Sequence, residues 1–248
     1  LEDYGLNQPM KWRHASFGIV ITRQLYKQVT EILSGSLPRE ILIAPMGVQT
    51  TKFARTELYS AWNGDGPFRI FSCGRLNPCK GHDDLIRALA YLRNSGIDAR
   101  LEIAGADDSM GEYLPVLDQL IGELGLRDSV VLLGAVSEDL VKGKLEVCHV
   151  FSLASLHEPL GVAIMEAMAM GLPVVVANSG GVAELVDDGV DGVLIKPRCP
   201  QELALSLKRI ALDPNFAFNI GTAARRKIEN SFTSDRSARV LAAHIETQ

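Results

Sequence analysis

Phe68-Arg69-Ile70-Phe71-Ser72-Cys73-Gly74-Arg75-Leu76-Asn77-Pro78-Cys79-Lys80-Gly81-His82 is the stretch on which the reading of this chain turns. A six-residue run rich in aromatic and branched side chains meets a turn carrying Gly, Asn and Pro, and a helix-length segment begins at His82. The same alternation continues to the C-terminus. Apolar runs recur at Ala99 to Ala104, Val130 to Leu133, His149 to Leu153, Pro173 to Ala177 and Gly192 to Ile195. Between them lie His82 to Asn94, Gly111 to Leu124, Ser137 to Val147, Gly161 to Met170 and Val182 to Asp187. Strands separated by helices must run parallel, because a parallel pair needs a long crossover, and runs this apolar are covered on both faces. The pattern therefore predicts an α/β fold with a doubly wound parallel sheet.

Working outward, several boundaries carry their own chemistry. Ser137 offers an N-cap, and Glu138 and Asp139 suit the dipole of the helix it opens. Gly171 and Pro173 close the apolar helix before them, and Pro200 and Pro214 open two late helices. Pro115 implies that the segment from Gly111 starts its helix only at Pro115. Upstream, residues 1–49 hold two short strand-like runs, Phe17 to Thr22 and Ile41 to Ala44, around a helix from Gln24 to Leu33. Two strands make too small a core to stand alone, so this segment reads as the remnant of a preceding domain. Residues 50–66, polar and ending Asn63-Gly64-Asp65-Gly66, read as a linker. Residues 67–233 form the main domain, and 234–248 a C-terminal helix expected to pack back on the first segment. The opening Leu1-Glu2-Asp3, with no Met and no signal peptide, suggests a processed or truncated product.

Composition narrows the classes. Of 248 residues 47% are hydrophobic and 22% charged, which excludes wholesale disorder. The net charge of −5 gives no global field for nucleic acid, so any anion must be held locally. No apolar run reaches the length of a membrane-spanning helix. Cys73, Cys79, Cys148 and Cys199 form no CxxC, and Cys73 and Cys148 read as small core residues of a protein in a reducing compartment. HExxH, GxSxG, the P-loop and GxGxxG are all absent, which removes zincin, α/β-hydrolase and P-loop readings and weakens a nicotinamide one.

In open α/β sheets ligands bind beyond the carboxyl ends of the strands, and four strand ends carry unusual residues. After the first, Gly74 lets backbone approach a ligand, and Arg75 and Lys80 are spaced to flank a diphosphate beside the next helix start. Two solvated cations on a surface loop are the plainer alternative. After the second, Gly105-Ala106-Asp107-Asp108 reads as a tight turn with a helix cap. After the fourth, Glu158-Pro159-Leu160-Gly161 turns sharply into a helix N-terminus, an anion cradle. Glu166 is the single charge on that apolar helix, suited to sugar hydroxyls or else solvated at the rim. After the fifth, Gly180 and Gly181 permit close contact at a ligand, and Glu184 either meets that ligand or complements a helix dipole. His157 reads as a bystander, and His82 and His149 as structural. Met165, Met168 and Met170 read as core.

Gly74-Arg75 with Lys80-Gly81, Glu158-Pro159-Leu160-Gly161-Val162, Glu166 through Val174, and Gly180-Gly181 with Glu184 together resemble the retaining GT-B glycosyltransferases of family 4 (group 1). Glu158 and Glu166 reproduce the family's E-x7-E motif, and the match runs from about Phe17 to the C-terminus. The resemblance implies two facing Rossmann-like domains, of which this chain is mainly the C-terminal, donor-binding one. Carried over, Arg75, Lys80 and Glu158 are its catalytic set: the two cations neutralise the diphosphate and Glu158 meets the donor sugar. Glu166 binds ribose, the backbone near Val136 meets the base, and Gly74, Pro159, Leu160, Gly161 and Glu184 complete the donor site. The implied donor is a UDP- or GDP-linked sugar with no metal or other cofactor, and the acceptor a carbohydrate or lipid-linked one. The setting implied is surface polysaccharide or glycolipid synthesis in the cytoplasm, peripheral to the membrane through a domain not in this sequence. The donor half alone is expected to bind nucleotide and transfer no sugar. Arg23 departs from the family's usual Ser, and Leu160 from a common aromatic. A noncatalytic sugar-nucleotide-binding module and a sugar-nucleotide epimerase are the rival readings.

Overall fold

A computed structural model describes residues 7–246. The opening Leu1-Glu2-Asp3 and the ends of the expected first and last segments lie outside the described residues. Helix α1 (Gln8–His14) leads into strand β1 (Gly18–Val20), helix α2 (Arg23–Ile32) and strand β2 (Ile41–Ile43). β1 and β2 pair in parallel as a separate two-stranded sheet. Thr22 caps α2 by accepting from the Leu25 N–H at 3.1 Å.

Beyond residue 67 the expected alternation is present. β3 (Phe68–Cys73) passes through a 3-10 turn (Pro78–Lys80) into α3 (His82–Asn94), followed by β4 (Ala99–Ala104), α4 (Tyr113–Glu123) and β5 (Val130–Gly134). Then come α5 (Glu138–Val147), β6 (Val150–Leu153), α6 (Val162–Ala169), β7 (Val174–Ala177), α7 (Val182–Leu185) and β8 (Val193–Ile195). Helices α8 (Pro200–Leu212), α9 (Pro214–Ser231) and α10 (Ser234–Glu246) close the chain. The sheet is parallel throughout, in the order β5-β4-β3-β6-β7-β8.

Period-two alternation divides the core. Ile70 of β3 joins Leu101, Ile103 and Val175 under α3, α4 and α8, whereas Phe71 joins Phe151, Val174 and Val176 under α5, α6 and α9. Met165, Met168 and Met170 are fully buried in the second cluster, as core residues should be. Two boundaries differ from expectation. α4 starts at Tyr113, two residues before Pro115, because a proline in the first turn forfeits no helical hydrogen bond. α7 ends at Leu185 and not at Asp187, since Val186 is already extended (φ −116°, ψ 125°).

The flanking segments are fastened to the large sheet unit. In the stretch expected as linker, Phe53 is buried, and Arg55 donates to the carbonyl of Leu145 at 3.0 Å near the C-terminal end of α5. The Thr56 N–H donates to Glu146 Oε1 at 2.8 Å, and Tyr59 Oη to the His149 carbonyl at 2.9 Å. At the other end α10 packs back on the first segment. Val48 bridges Thr233, Ser237 Oγ donates to the Pro45 carbonyl, and the rings of Phe17 and His244 stand 4.7 Å apart.

Candidate active site

A parallel sheet brings all its carboxyl ends to one edge. The chain runs outward from β3 to β4 and β5, then returns to β6 on the other side of β3. The switch point therefore lies between β3 and β6, where doubly wound sheets open a crevice. There Lys80, from the loop after β3, meets Glu158, from the loop after β6: Nζ to Oε2 is 2.7 Å. Their side chains are only 16% and 9% exposed. Ser155 Oγ donates to the same Glu158 oxygen at 3.3 Å. A buried charge needs a partner and further hydrogen bonds, and this pair has both.

The approach of the β7 loop fixes where Glu158 sits. The Gly181 N–H donates to the Glu158 carbonyl at 2.9 Å. Gly180 has φ +58°, and a Cβ there would fall 2.1 Å from the Glu158 carbonyl oxygen. The corresponding contact at Gly181 is with the Pro159 carbonyl oxygen, also at 2.1 Å. The glycine pair thus makes its close approach to protein backbone, where the sequence suggested a ligand. Gly74 differs: a Cβ there would meet Leu153, Lys80 and His82 only at ordinary distances of 3.7–3.9 Å. Packing does not demand a glycine at that point.

Arg75 lies at the open side of the same loop, its side chain 72% exposed and paired to Asp108 at 2.6 Å. The neighbouring Asp107 does what the turn reading expected, accepting from the Leu114 N–H at 2.7 Å in the first turn of α4. Helices α3 and α6 differ at their starts. α3 carries Asp83 and Asp84 in its first turn, and Asp83 is held by Tyr113 Oη and Arg198, both at 3.0 Å. Its dipole is already answered, so it adds less to an anion site than its position after Lys80 suggested. α6 has no acid in its first turn and no side-chain cap. Gly161 opens it at φ +98°, a backbone state that favours glycine. The start of α6 is thus the better anion cradle. Leu160 is buried, Pro159 exposed, and Val136, just before the Ser137 cap of α5, packs partly buried on the apolar cluster.

Glu166 lies one turn into α6 among apolar residues. Burial pushes its pKa up from 4.5 to about 7, the Glu138 carboxylate adds to the rise, and the Lys52 ammonium opposes it. Lys52 is itself ion-paired with Glu138. Sequence reasoning missed both neighbours, since Lys52 comes from the presumed linker and Glu138 was explained as a dipole partner of its own helix. Glu184 is also committed elsewhere. Its two oxygens accept from the N–H groups of Arg23 and Gln24, each at 2.9 Å, so from the first turn of α7 it caps the start of α2 across the chain. Beside it a cleft of 560 Å³ is lined by Ile21, Arg23, Leu160, Ala183, Glu184 and Phe232, among others. Arg75 and Lys80 stand outside that cleft.

Among the described residues no group of three or more His, Cys, Asp or Glu side chains is placed to hold a metal ion. Among the same residues no helix is long and apolar enough to cross a membrane. His157 is exposed. His149 is buried, its Nδ1 accepting from the Arg69 N–H at 2.9 Å, and burial first, then the Arg69 and Arg55 charges, lower its pKa to about 4.

The family profile described as Glycosyl transferases group 1 matches residues 60–227. An uncharacterized glycosyltransferase of Methanocaldococcus jannaschii is 35% identical over 170 residues, 68% of this chain and 42% of that protein. The GDP-mannose-dependent alpha-(1-6)-phosphatidylinositol monomannoside mannosyltransferase of Mycobacterium tuberculosis is 31% identical over 211 residues, 80% of this chain and 54% of that protein. The chain thus spans about half the length of the curated relatives it matches. Anabaena HepE, crystallised with UDP and glucose, superposes with a TM-score of 0.85 at 25% identity, covering 96% of this chain and 65% of that one. Sucrose-phosphate synthase of Thermosynechococcus elongatus shares the fold (TM-score 0.84, 22% identity, 97% of this chain and 60% of that one).

Proposed function

This chain belongs to the group 1 glycosyl transferases, and on that premise we propose that it forms the donor-binding half of a retaining enzyme. Its donor is a nucleoside-diphosphate sugar, and its acceptor a carbohydrate or lipid-linked one in polysaccharide or glycolipid synthesis. The observation that carries the reading is the buried Lys80–Glu158 pair at the switch point of the sheet, with the uncapped start of α6 just after Glu158 and the half-buried Glu166 one turn along that helix. Relatives divide between a GDP-mannose-dependent enzyme and a protein crystallised with UDP, so the family leaves the base open.

Glu166 accepts from the ribose hydroxyls, and the backbone at Val136 borders the base. The diphosphate lies against the N–H groups at the start of α6, near Leu160 and Gly161. Arg75 exchanges the Asp108 carboxylate for a phosphate oxygen at little cost, because an exposed ion pair is weak. Lys80 keeps its bond to Glu158 and turns its remaining donors to the phosphates. Glu158, so fixed, accepts from a hydroxyl of the donor sugar. When the anomeric C–O bond breaks, its electron pair passes to the diphosphate, where these cations and N–H groups already stand. The acceptor hydroxyl oxygen then bonds to the anomeric carbon on the face the diphosphate leaves, and its proton passes to the departing diphosphate oxygen. Glu184, occupied by α2, steadies the two units around the cleft. A chain limited to this half binds nucleotide without turnover, since orienting the acceptor contributes about 7–11 kcal/mol of barrier lowering.

Calorimetric titration tests the assignment, comparing UDP and GDP with uridine and guanosine on the native chain and on Arg75→Ala. One charge-assisted contact is worth about 1.5–3 kcal/mol, so the variant should bind the diphosphates about tenfold or more weakly and the nucleosides unchanged. Equal losses for both ligand classes refute it.

A further inference from the structure

We infer that His82 is a positioning residue: its imidazole holds the loop that presents Arg75 and Lys80, and so sets the affinity for the diphosphate. The inference rests on the proposed diphosphate role of that loop. His82 is the first residue of α3 and has no exposed surface. Its Nε2 lies 3.1 Å from the Arg75 carbonyl oxygen. A carbonyl only accepts, so Nε2 carries the proton and donates. Nδ1 is then a bare acceptor, and among the described residues it has no hydrogen-bond partner.

An imidazole buried with one nitrogen unpaired is a poor filler, because a Leu or Phe would occupy the space without stranding a polar atom. What the histidine supplies in exchange is a directional bond to the backbone of the residue that bears the outer cation. The ring and the Lys80 stem both lie close to Gly74: a Cβ there would come within 3.9 Å of His82 Cε1 and 3.8 Å of Lys80 Cδ. Burial lowers the His82 pKa against the pull of the Arg75 and Gly74 carbonyls, and the Lys80 charge lowers it further. The ring is therefore neutral, in keeping with a fixed Nε2–H donor. Arg75 itself is too exposed for packing to place it; the N–H groups of Gly74 and Leu76 on either side donate to the Ala104 and Ala106 carbonyls at 2.9 and 2.7 Å, and the His82 bond adds a side-chain tie to the Arg75 carbonyl itself.

The test uses the full 248-residue chain with UDP, GDP and their nucleosides as probes. His82→Gln keeps an amide donor near the position of Nε2, whereas His82→Leu keeps volume without a donor. The Leu variant should bind both diphosphates about tenfold more weakly and both nucleosides unchanged, with the Gln variant recovering most of the loss. Equal diphosphate affinity in the Leu variant and the native chain overturns the inference, and so does a parallel loss for nucleosides. If the native chain binds diphosphates no better than nucleosides, the diphosphate role of the loop fails first and the inference with it. Nitrogen-15 spectra of the native imidazole give a readout independent of any variant. A protonated Nε2 with a bare Nδ1 is expected, and the opposite tautomer refutes the bond.

Discussion

Replacing Glu166 by Gln sets stability and ligand binding against each other. The carboxylate's pKa is raised by burial, then by Glu138, from 4.5 to about 7. Below pH 4.5 both folded and unfolded chains hold the proton. Between 4.5 and about 7 only the unfolded chain ionises, so the folded state loses stability as pH rises, and above 7 the loss is complete. A rise of that size corresponds to about 3 kcal/mol at most, and partial exposure with solvent screening reduces it to roughly 1–2 kcal/mol. Gln cannot ionise, so Glu166→Gln should gain about 1–2 kcal/mol over the native chain between pH 4 and pH 8. For a chain of this length that is about 2–4 °C in Tm per kcal/mol, read by thermal unfolding across the pH range. The same variant should bind ribonucleotides more weakly while its preference over deoxyribonucleotides shrinks, because one acceptor oxygen has become a donor. A side chain whose removal stabilises the fold and weakens the ligand is held for the ligand. Native and variant Tm curves that run parallel across pH refute the buried-carboxylate argument, and an unchanged ribose preference refutes the role.

Two further outcomes follow from the buried pair and the cross-chain cap. Lys80→Ala leaves Glu158 charged and unpaired under cover, costing about 3–5 kcal/mol in urea unfolding, and adding Glu158→Gln should restore part of that loss; simple additivity of the two changes contradicts a coupled pair. Glu184→Ala removes the acceptor for two N–H groups of α2 and should cost that helix about 1 kcal/mol. Amide hydrogen exchange at Arg23 and Gln24 should quicken while β3 to β8 stay protected, and unchanged exchange there removes the cap assignment.

The strand-turn-helix alternation from Phe68 onward, the positions of the six strands and the burial of Met165, Met168 and Met170 are properties of local pattern. A run such as Val174–Ala177, apolar on both faces, has no stable place except inside a parallel sheet, so order along the chain dictates layer and direction. Asp107 and Ser137 could be read as caps for the same reason, since their partners lie only seven and three residues along the chain. What a charged side chain does at a strand end depends on what arrives from elsewhere. Lys80 and Glu158 are 78 residues apart and become a buried pair because β3 and β6 are neighbours. Glu184 read either as a ligand contact or as a dipole partner for its own helix, and Arg23, 161 residues away, supplies an N–H it accepts from. Lys52 reaches Glu138 because the stretch presumed to be a free linker is fastened down. Electrostatic energy falls with distance through space and not along the chain. Periodicity could therefore reveal the scaffold, and the tertiary structure alone could decide which charges face one another across it.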